Sequence, residues 1–166
     1  MTKQSTSIGK YRVIQLLGEG VNTKVFLAEK DKEATYCAIK VFSGPYLTDS
    51  SYKKRLKREF SLKKQIQHPN LVHYFEMGEF NKHPYIVMEY LGQATLQKLM
   101  AHHGRAPSSI AVSVISEVLK GLAFLHDNQI VHRDVKPSAI FLTKKGRVVL
   151  ADFDIAKPLY DNSLTL

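Results

Sequence analysis

Strand-like and helical patterns are segregated along this chain, and that separation is the strongest constraint on its fold. Up to about residue 90 the sequence has short runs of β-branched and aromatic residues, interrupted by one helical stretch at about Asp49–Gln67. Beyond that point helical periodicity dominates, most clearly over Ser108–His126. Segregated strands and helices favour an α+β fold over a regularly alternating α/β fold. We therefore predict a β-rich unit followed by a mainly helical unit.

The predicted element boundaries follow from turn residues and from the change of period. The first unit should contain five strands, at Tyr11–Leu17, Val25–Glu29, Tyr36–Phe42, Leu71–Met77 and Tyr85–Tyr90, with a turn at Gly18–Gly20. The second should contain helices at Thr95–His102 and Ser108–His126, the latter capped by Ser108 or Ser109, and short strands at Ile140–Leu142 and Val148–Leu150. Residues 1–10 are predicted as a polar lead-in, 11–90 as the first unit and 91–166 as the second, connected at Leu91 and Gly92.

Composition narrows the class of protein. Apolar residues make up 44% of the chain, which is enough for a packed core, and the absence of a long uninterrupted apolar run predicts no membrane span. The single cysteine, Cys37, excludes an intrachain disulfide and fits a reducing, cytoplasmic location. The net charge of +9 favours acidic partners such as nucleotides, nucleic acid or anionic lipid, without choosing among them.

Two short motifs in the second half carry the functional signal. Residues 132–137 read H-R-D-V-K-P, and residues 152–154 read D-F-D. The first run resembles the catalytic loop of protein kinases, and the second resembles that family's metal-binding motif with its glycine replaced. The resemblance implies that Asp134 positions the substrate hydroxyl and accepts its proton, that Lys136 stabilises the γ-phosphate of ATP, and that Asp152 holds Mg²⁺. A lysine two residues after the aspartate is typical of serine/threonine kinases.

The first half contains matching phosphate-binding features. Lys40 lies in a predicted strand and Glu59 in the predicted helix, which resembles the kinase pair whose lysine holds the α- and β-phosphates and whose glutamate orients that lysine. Residues 17–25 read L-G-E-G-V-N-T-K-V and resemble the kinase glycine-rich loop, although two glycines between strands are more often a simple hairpin turn. The resemblance implies nucleotide contacts at Leu17, Gly18, Glu19, Gly20 and Val25.

An adenine site is implied by a third run. Residues 86–91 read I-V-M-E-Y-L and resemble the segment that joins the two lobes of a kinase. By that resemblance Met88 is the gatekeeper, the backbone of Glu89 and Leu91 bonds adenine, and further nucleotide contacts come from Ala38 and Phe141. An ordinary buried strand explains the apolar residues of this run equally well. The adenine interpretation therefore depends on the surrounding motifs.

Four positions depart from the family pattern. Ala139 stands where the resemblance implies a metal-binding asparagine, and a methyl group cannot bind Mg²⁺. Asp154 replaces a glycine, Thr23 replaces the third glycine of the loop, and Lys63 occupies a usually apolar position, where its charge should loosen the packing or point outward. The alternative to an active kinase is therefore a weak or inactive pseudokinase that acts as a binding or allosteric partner.

The resemblance implies a kinase-like fold with a five-stranded antiparallel N-terminal lobe, one helix in that lobe, and an incomplete, mainly helical C-terminal lobe. A different function class is suggested by the basic stretch Lys53–Lys64, which could bind nucleic acid or lipid headgroups. A charged run on a helix is more often a solvated face, and the chain has no recognisable nucleic-acid motif. The expected partner is a protein substrate or a regulatory protein, with no specific nucleic acid.

Overall fold

The structure is a computed structural model that describes residues 7–30, 35–44, 50–152 and 157–158. Its described residues form two compact units. The first includes the described residues up to Gln65 together with His73–Tyr90, and the second includes Ile66–Val72 and the described residues from Leu91 onward. The segment Ile66–Val72 thus packs with the second unit, although it precedes two strands of the first.

The first unit is an antiparallel sheet with one helix, as predicted for an α+β protein. Its strands, in the spatial order β1-β2-β3-β4-β6-β5, are β1 (Ser7–Ile8), β2 (Tyr11–Gly20), β3 (Thr23–Lys30), β4 (Thr35–Phe42), β5 (Tyr74–Phe80) and β6 (His83–Glu89). Helix α1 spans Ser50–Gln65 and packs against β5. The five predicted strands are all present, with shifted ends, and the two-residue β1 is an addition.

Two expectations for the start of the chain are wrong. Gly18–Gly20 is not a turn, because these residues continue β2 and pair with β3, Gly18 opposite Val25 and Gly20 opposite Thr23. The turn is made by the next two residues, 21–22. The polar lead-in is also shorter than predicted, because Ser7 and Ile8 pair with β2 and Ile8 is buried in the core.

One face of this sheet forms the core of the first unit. The buried cluster consists of Ile8, Tyr11, Ala28, Cys37, Ile39, Tyr85 and Val87, with Val13, Phe26, Val41 and Phe80 packed against it. Because side chains alternate along a strand, the neighbours of Cys37 and Ile39 on β4, which are Ala38 and Lys40, point to the opposite face. The sheet therefore separates its apolar core from the residues predicted to bind nucleotide.

Cys37, the single cysteine of the chain, is buried in this core. Its Sγ lies 3.6 Å from the carbonyl oxygen of Ala28, and burial, followed by the charge of Glu76, raises the pKa of the thiol to about 11. At pH 8 we expect a disulfide reagent to modify the folded chain at least about 100-fold more slowly than the urea-unfolded chain, because both access and thiolate fraction are reduced. The reaction is measured by the absorbance of the thiolate that the reagent releases. Equal modification rates for the folded and the unfolded chain would contradict the burial of Cys37.

The second unit combines helices with two small sheets. Its elements are α2 (Leu96–His103), α3 (Ser108–Asp127), β7 (Ile130–Val131), β8 (Ile140–Leu142), β9 (Val148–Leu150) and β10 (Lys157–Pro158). Strands β8 and β9 have the predicted bounds and pair with each other, and β7 pairs with β10. The side chain of Thr95 caps α2, but no serine caps α3, because Pro107 occupies its cap position and Ser108 and Ser109 are already helical.

Helix α3 is apolar on two faces. Val114, Val118, Gly121 and Leu125 are buried, and Gly121 brings the helix close to Leu71 and Asn70. The other face exposes Val112, Ile115 and Leu119, spaced as neighbours along a helix.

By length and mean hydropathy (1.6), α3 also qualifies as a membrane span, which the sequence reasoning did not anticipate. Core helices of soluble proteins pass the same test, and α3 packs against β7 and β9.

Candidate active site

The H-R-D loop of the second unit is held by a buried histidine. His132 is 1% exposed, and its Nε2 lies 3.0 Å from the carbonyl oxygen of Ala151. The backbone N–H of Asp134 donates to Nδ1 of the same ring at 3.3 Å. A carbonyl oxygen only accepts and a backbone N–H only donates, so the two bonds require the proton to be on Nε2. The ring therefore fixes the backbone of Asp134 relative to Ala151.

A second link joins the same two segments. Pro137–Ala139 forms a 3₁₀ turn, and the carbonyl oxygen of Ala139 accepts a hydrogen bond from the N–H of Ala151 at 2.8 Å. Ala151 is thus held through its N–H by Ala139 and through its carbonyl by His132. Because Asp152 follows directly, the position of its backbone depends on the loop that carries Asp134.

Two of the residues predicted to be catalytic, Asp134 and Lys136, contact each other in the structure. The Nζ of Lys136 lies 2.6 Å from Oδ2 of Asp134, and both side chains are partly exposed. The hydrogen bond that Lys136 donates to Asp134 is the main cause that raises the pKa of Lys136, and the charges of Asp134 and Asp152 act in the same direction against partial desolvation. Lys136 is therefore a cation throughout the physiological pH range, beside a carboxylate that solvent can reach.

Two residues of this site have left-handed backbone conformations. Arg133 has φ 66° and Asp152 has φ 65°, and neither is glycine. Such conformations cost about 1–3 kcal/mol each and persist only where surrounding contacts enforce them, as the bonds through His132 and Ala151 do here. The strain falls on the residue before Asp134 and on the predicted metal ligand, which is where functional sites usually concentrate it.

In the first unit, several of the predicted nucleotide-binding residues lie on the face of the sheet opposite its core. Lys40 on β4 pairs with Val25 on β3, and Ala38 pairs with Met88 on β6. Paired residues of neighbouring strands share a face, and so do residues two apart on one strand. Val25, Ala38, Lys40 and Met88 therefore form one continuous patch. Gly18, opposite Val25, extends it along β2.

The structure leaves the other nucleotide predictions partly open. Glu59 Oε1 lies 3.6 Å from Nε of Arg55, one turn earlier on α1, so the Lys40–Glu59 pair stays a prediction. The N–H of Glu89 donates to His73 at 2.9 Å, and a bond from Glu89 to adenine would have to use its carbonyl oxygen. Leu91 and Phe141 belong to the second unit, where Leu91 is buried and Phe141 lies on β8.

The profile of the protein kinase domain matches residues 11–165 of the sequence. This chain belongs to the protein kinase family. The kinase PrkC of Bacillus subtilis, a serine/threonine-protein kinase, is 33% identical over 160 residues, and the mouse cAMP-dependent protein kinase catalytic subunit PRKX is 30% identical over 164. The solved kinase domain of PknI from Mycobacterium tuberculosis superimposes with a TM-score of 0.78 at 27% identity, over 95% of this chain and 64% of that one.

The chain is therefore a serine/threonine protein kinase-like domain with the kinase fold, and the fold prediction is confirmed. It spans only part of these relatives. The matched region covers 95% of this chain but 24% of PrkC, and 99% of this chain but 46% of PRKX. The activities and partners of those longer proteins are therefore not established for this chain.

The site residues fit a nucleotide-bound Mg²⁺ better than an independent metal centre. Within the described part of the chain, no three His, Cys, Asp or Glu side chains cluster as metal ligands. Mg²⁺ commonly uses one or two carboxylates together with phosphates and water. Asp152, with its left-handed backbone, is the residue that would supply a carboxylate. Ala139 is fully buried and contributes only backbone bonds. Phe153 and Asp154 lie outside the described residues, so the role of Asp154 stays a prediction.

Lys63, one of the departures from the kinase pattern, does not point outward. Its side chain is 4% exposed, and its Nζ lies 5.6 Å from the ring centroid of Tyr74, a cation–π distance. Of the two expected outcomes, the outward side chain is wrong, because the residue falls on the buried face of α1, seven positions after the buried Leu56. The other, that its charge loosens the packing, stays a prediction. Of the other basic residues of the helix, Lys53 is partly exposed, and the rest are exposed, as a solvated face predicts: Lys54, Arg55, Lys57, Arg58 and Lys64.

One structural anchor was missed by the sequence reasoning. Asn70 is buried. Its side-chain Nδ2 donates to a carboxylate oxygen of Glu117 at 2.9 Å and to the carbonyl oxygen of Val148 at 2.8 Å. Its own carbonyl accepts from Leu150 at 2.8 Å. Asn70 thereby fixes β9, the strand that leads to Asp152. Only its partners, which are distant in sequence, reveal this role.

Proposed function

We propose that this chain binds ATP with Mg²⁺ and transfers the γ-phosphoryl group to a serine or threonine hydroxyl of a protein. The observation that carries the proposal is the contact of 2.6 Å between Asp134 and Lys136. Their loop is hydrogen-bonded through His132 and Ala139 to Ala151, the residue before Asp152. Phosphoryl transfer needs positioning and charge stabilisation more than covalent chemistry from the protein. A carboxylate and a cation in one rigid loop supply both.

Each residue has a defined task in this mechanism. Asp134 accepts a hydrogen bond from the substrate hydroxyl, orients its oxygen toward the γ-phosphorus and takes up the proton as the new bond forms. Lys136 donates to the γ-phosphate oxygens and stabilises the charge that they carry in the transition state. Asp152 would hold Mg²⁺, which supplies charge neutralisation at the phosphates. Lys40 would hold the α- and β-phosphates from the sheet face that it shares with Val25 and Ala38.

A binding-only function is the second candidate, and a specific observation favours it. Ala139 occupies the position where the resemblance implies a second metal-binding residue, and its fully buried methyl group cannot bind Mg²⁺. A chain with one carboxylate ligand can still bind a nucleotide through Lys40, Asp152 and the glycine-containing hairpin. In that case the chain would act on a regulatory partner in the cytoplasm without phosphorylating it.

Two measurements distinguish an active kinase from a chain that only binds nucleotide. The first is the affinity for a fluorescent ATP analogue with and without Mg²⁺, compared between wild type and Lys40→Met. The second is transfer of ³²P from γ-labelled ATP to myelin basic protein. We expect Mg²⁺-dependent binding that Lys40→Met weakens by about tenfold or more, because a charge-assisted contact to phosphate is lost. Binding without transfer would establish the pseudokinase alternative, and absence of nucleotide binding would overturn both candidates.

A further inference from the structure

Helix α1 concentrates positive charge on the side that faces solvent. Its 16 residues include seven lysines and arginines but a single acidic residue, Glu59. A helix turns by about 100° per residue, so four exposed cations fall within about 120° of one another around the axis, with Ser61 near the centre of that arc: Lys54, Lys57, Arg58 and Lys64. We call these four cations and Ser61 the α1 basic face.

The carboxylates closest in sequence or contact to this face are already paired with other cations. Glu59 Oε1 lies 3.6 Å from Nε of Arg55, and Glu79 Oε2 lies 3.1 Å from Nζ of Lys53. Among the described residues, no carboxylate lies within ion-pair distance of any cation of the α1 basic face. The face therefore has a positive potential that attracts a polyanion.

The α1 basic face offers charge without apolar surface. The described side chains of α1 include no large exposed hydrophobic residue, because apolar residues such as Leu56 are buried where the helix packs against β5. A helix that lies in a membrane surface inserts an apolar face, and single-stranded nucleic acid is usually bound by aromatic side chains that stack on its bases. The described part of this face has neither feature.

We propose that the α1 basic face binds the phosphate backbone of double-stranded nucleic acid without reading its base sequence. From Lys54 to Lys64 the helix rises by about 15 Å, at about 1.5 Å per residue. Each strand of a DNA duplex carries one phosphate per about 3.4 Å of its axis, so this length passes about four phosphates. The number of phosphates within reach thus equals the number of cations on the face. Contacts to phosphates carry no sequence information.

A duplex fits this face better than an acidic segment of a protein does. The phosphates of a duplex are held in a stiff and regular array. A disordered acidic segment loses conformational entropy when its carboxylates align with four side chains. Neutralising duplex phosphates also releases counterions condensed on the nucleic acid, which favours binding at low salt.

The probe is a fluorescein-labelled DNA duplex of about 20 base pairs, titrated with the 166-residue chain and followed by fluorescence anisotropy. We expect a Kd on the order of 10 µM at about 50 mM salt, as for non-specific binding. Four neutralised phosphates predict a slope of about −3.6 when the logarithm of the association constant is plotted against that of the salt concentration. Affinity should therefore fall by about 100-fold between about 50 and 200 mM salt.

Two further nucleic acids test the kind of contact. A duplex of unrelated sequence should bind with the same affinity within about twofold, because the phosphates are alike in both. One separated strand should bind at least about fivefold more weakly, because the described part of the face has no aromatic side chain on which its bases could stack.

Two variants with equal loss of charge locate the binding face. The first replaces all four cations of the α1 basic face by glutamine, which suits a helix, and should weaken binding at low salt by about tenfold or more. The matched control should weaken binding by less than about threefold, and it replaces four exposed cations of the second unit by glutamine: Lys98, Arg105, Lys144 and Lys145. Each variant removes four positive charges from the net charge of +9, so the two differ in where the charge is lost.

A single substitution tests whether each cation makes one contact. Arg58→Gln alone should reduce the magnitude of the salt slope by about one, because one phosphate contact is lost. A thermal melt of each variant verifies that the fold is retained. None of the substituted residues belongs to the proposed nucleotide site, so the affinity for ATP should be unchanged in every variant. Failure of the ATP proposal would leave duplex binding unaffected.

Several results would overturn duplex binding by α1. Equal losses in the two variants that lack four charges would mean that net charge alone attracts the duplex. A salt slope near zero, a clear preference for one duplex sequence, or equally tight binding of the single strand would contradict contacts to a duplex backbone. Tighter binding of polyglutamate would assign the face to an acidic protein. Co-sedimentation with phosphatidylserine vesicles in the absence of duplex binding would assign it to a membrane surface.

Discussion

Asp134→Asn is expected to lower the rate constant of phosphoryl transfer by about 100- to 10,000-fold, the usual contribution of a general base, while the affinity for ATP stays the same. Asparagine has nearly the shape of aspartate but cannot take up the proton of the substrate hydroxyl. The substitution also removes the carboxylate that lies 2.6 Å from Lys136, so the raised pKa of that lysine should fall toward its ordinary value. Both changes act on transfer and leave the sheet of the first unit intact.

The measurement is single-turnover transfer of ³²P from ATP to protein, with nucleotide affinity determined in parallel. Asp127→Asn at the end of α3 is the matched control, since it makes the same chemical change at an exposed position away from the loop. Transfer by Asp134→Asn at the wild-type rate would contradict the role assigned to Asp134. A loss of ATP affinity equal to the loss of rate would instead indicate that the substitution damages the loop, because a base acts only in the transition state.

Local patterns predicted the regular elements of this chain well where one face is buried and the ends are marked by turn residues. Strands β8 and β9 were predicted with their observed bounds because Lys144, Lys145 and Gly146 separate them. The turn predicted from Gly18 and Gly20 was wrong. Glycine prefers turns locally, but pairing with β3 contributes more than that preference and extends β2 through Gly20.

The sequence predicted those features of the candidate site that depend on residues within one motif. The proximity of Asp134 and Lys136 follows from two positions of one loop, whereas the bonds of Ala151 to His132 and Ala139 depend on chain segments that meet only in the folded state. For Lys63, the chemistry of the residue itself led to a wrong prediction of its environment. Its charge suggested exposure or loosened packing, whereas it lies seven positions after the buried Leu56 and is itself buried, with its Nζ 5.6 Å from the ring centroid of Tyr74.

Gly78→Ala is expected to reduce the free energy of unfolding by about 3 kcal/mol, at the upper end of the usual cost of overpacking. Gly78 on β5 pairs with Tyr85 on β6, and a Cβ at Gly78 would lie 2.8 Å from Cε1 of that ring and closer still to Cζ and Oη. The ring is only 7% exposed and belongs to the core of the first unit, so it cannot move into solvent without loss of packing. The melting temperature should fall by about 6–12 °C for a chain of this size.

Gly18→Ala is the matched control, because a Cβ there meets no atom within 4 Å and the backbone is not left-handed. In an ordinary strand, replacing glycine by alanine stabilises by about 0.5–1 kcal/mol, so this control should leave the melting temperature equal or slightly higher. A double-mutant cycle with Tyr85→Leu isolates the cause. If the steric conflict is with the ring, Gly78→Ala should cost little in the Tyr85→Leu background, whereas an equal cost in both backgrounds would place the conflict in the β5 backbone and refute the packing account.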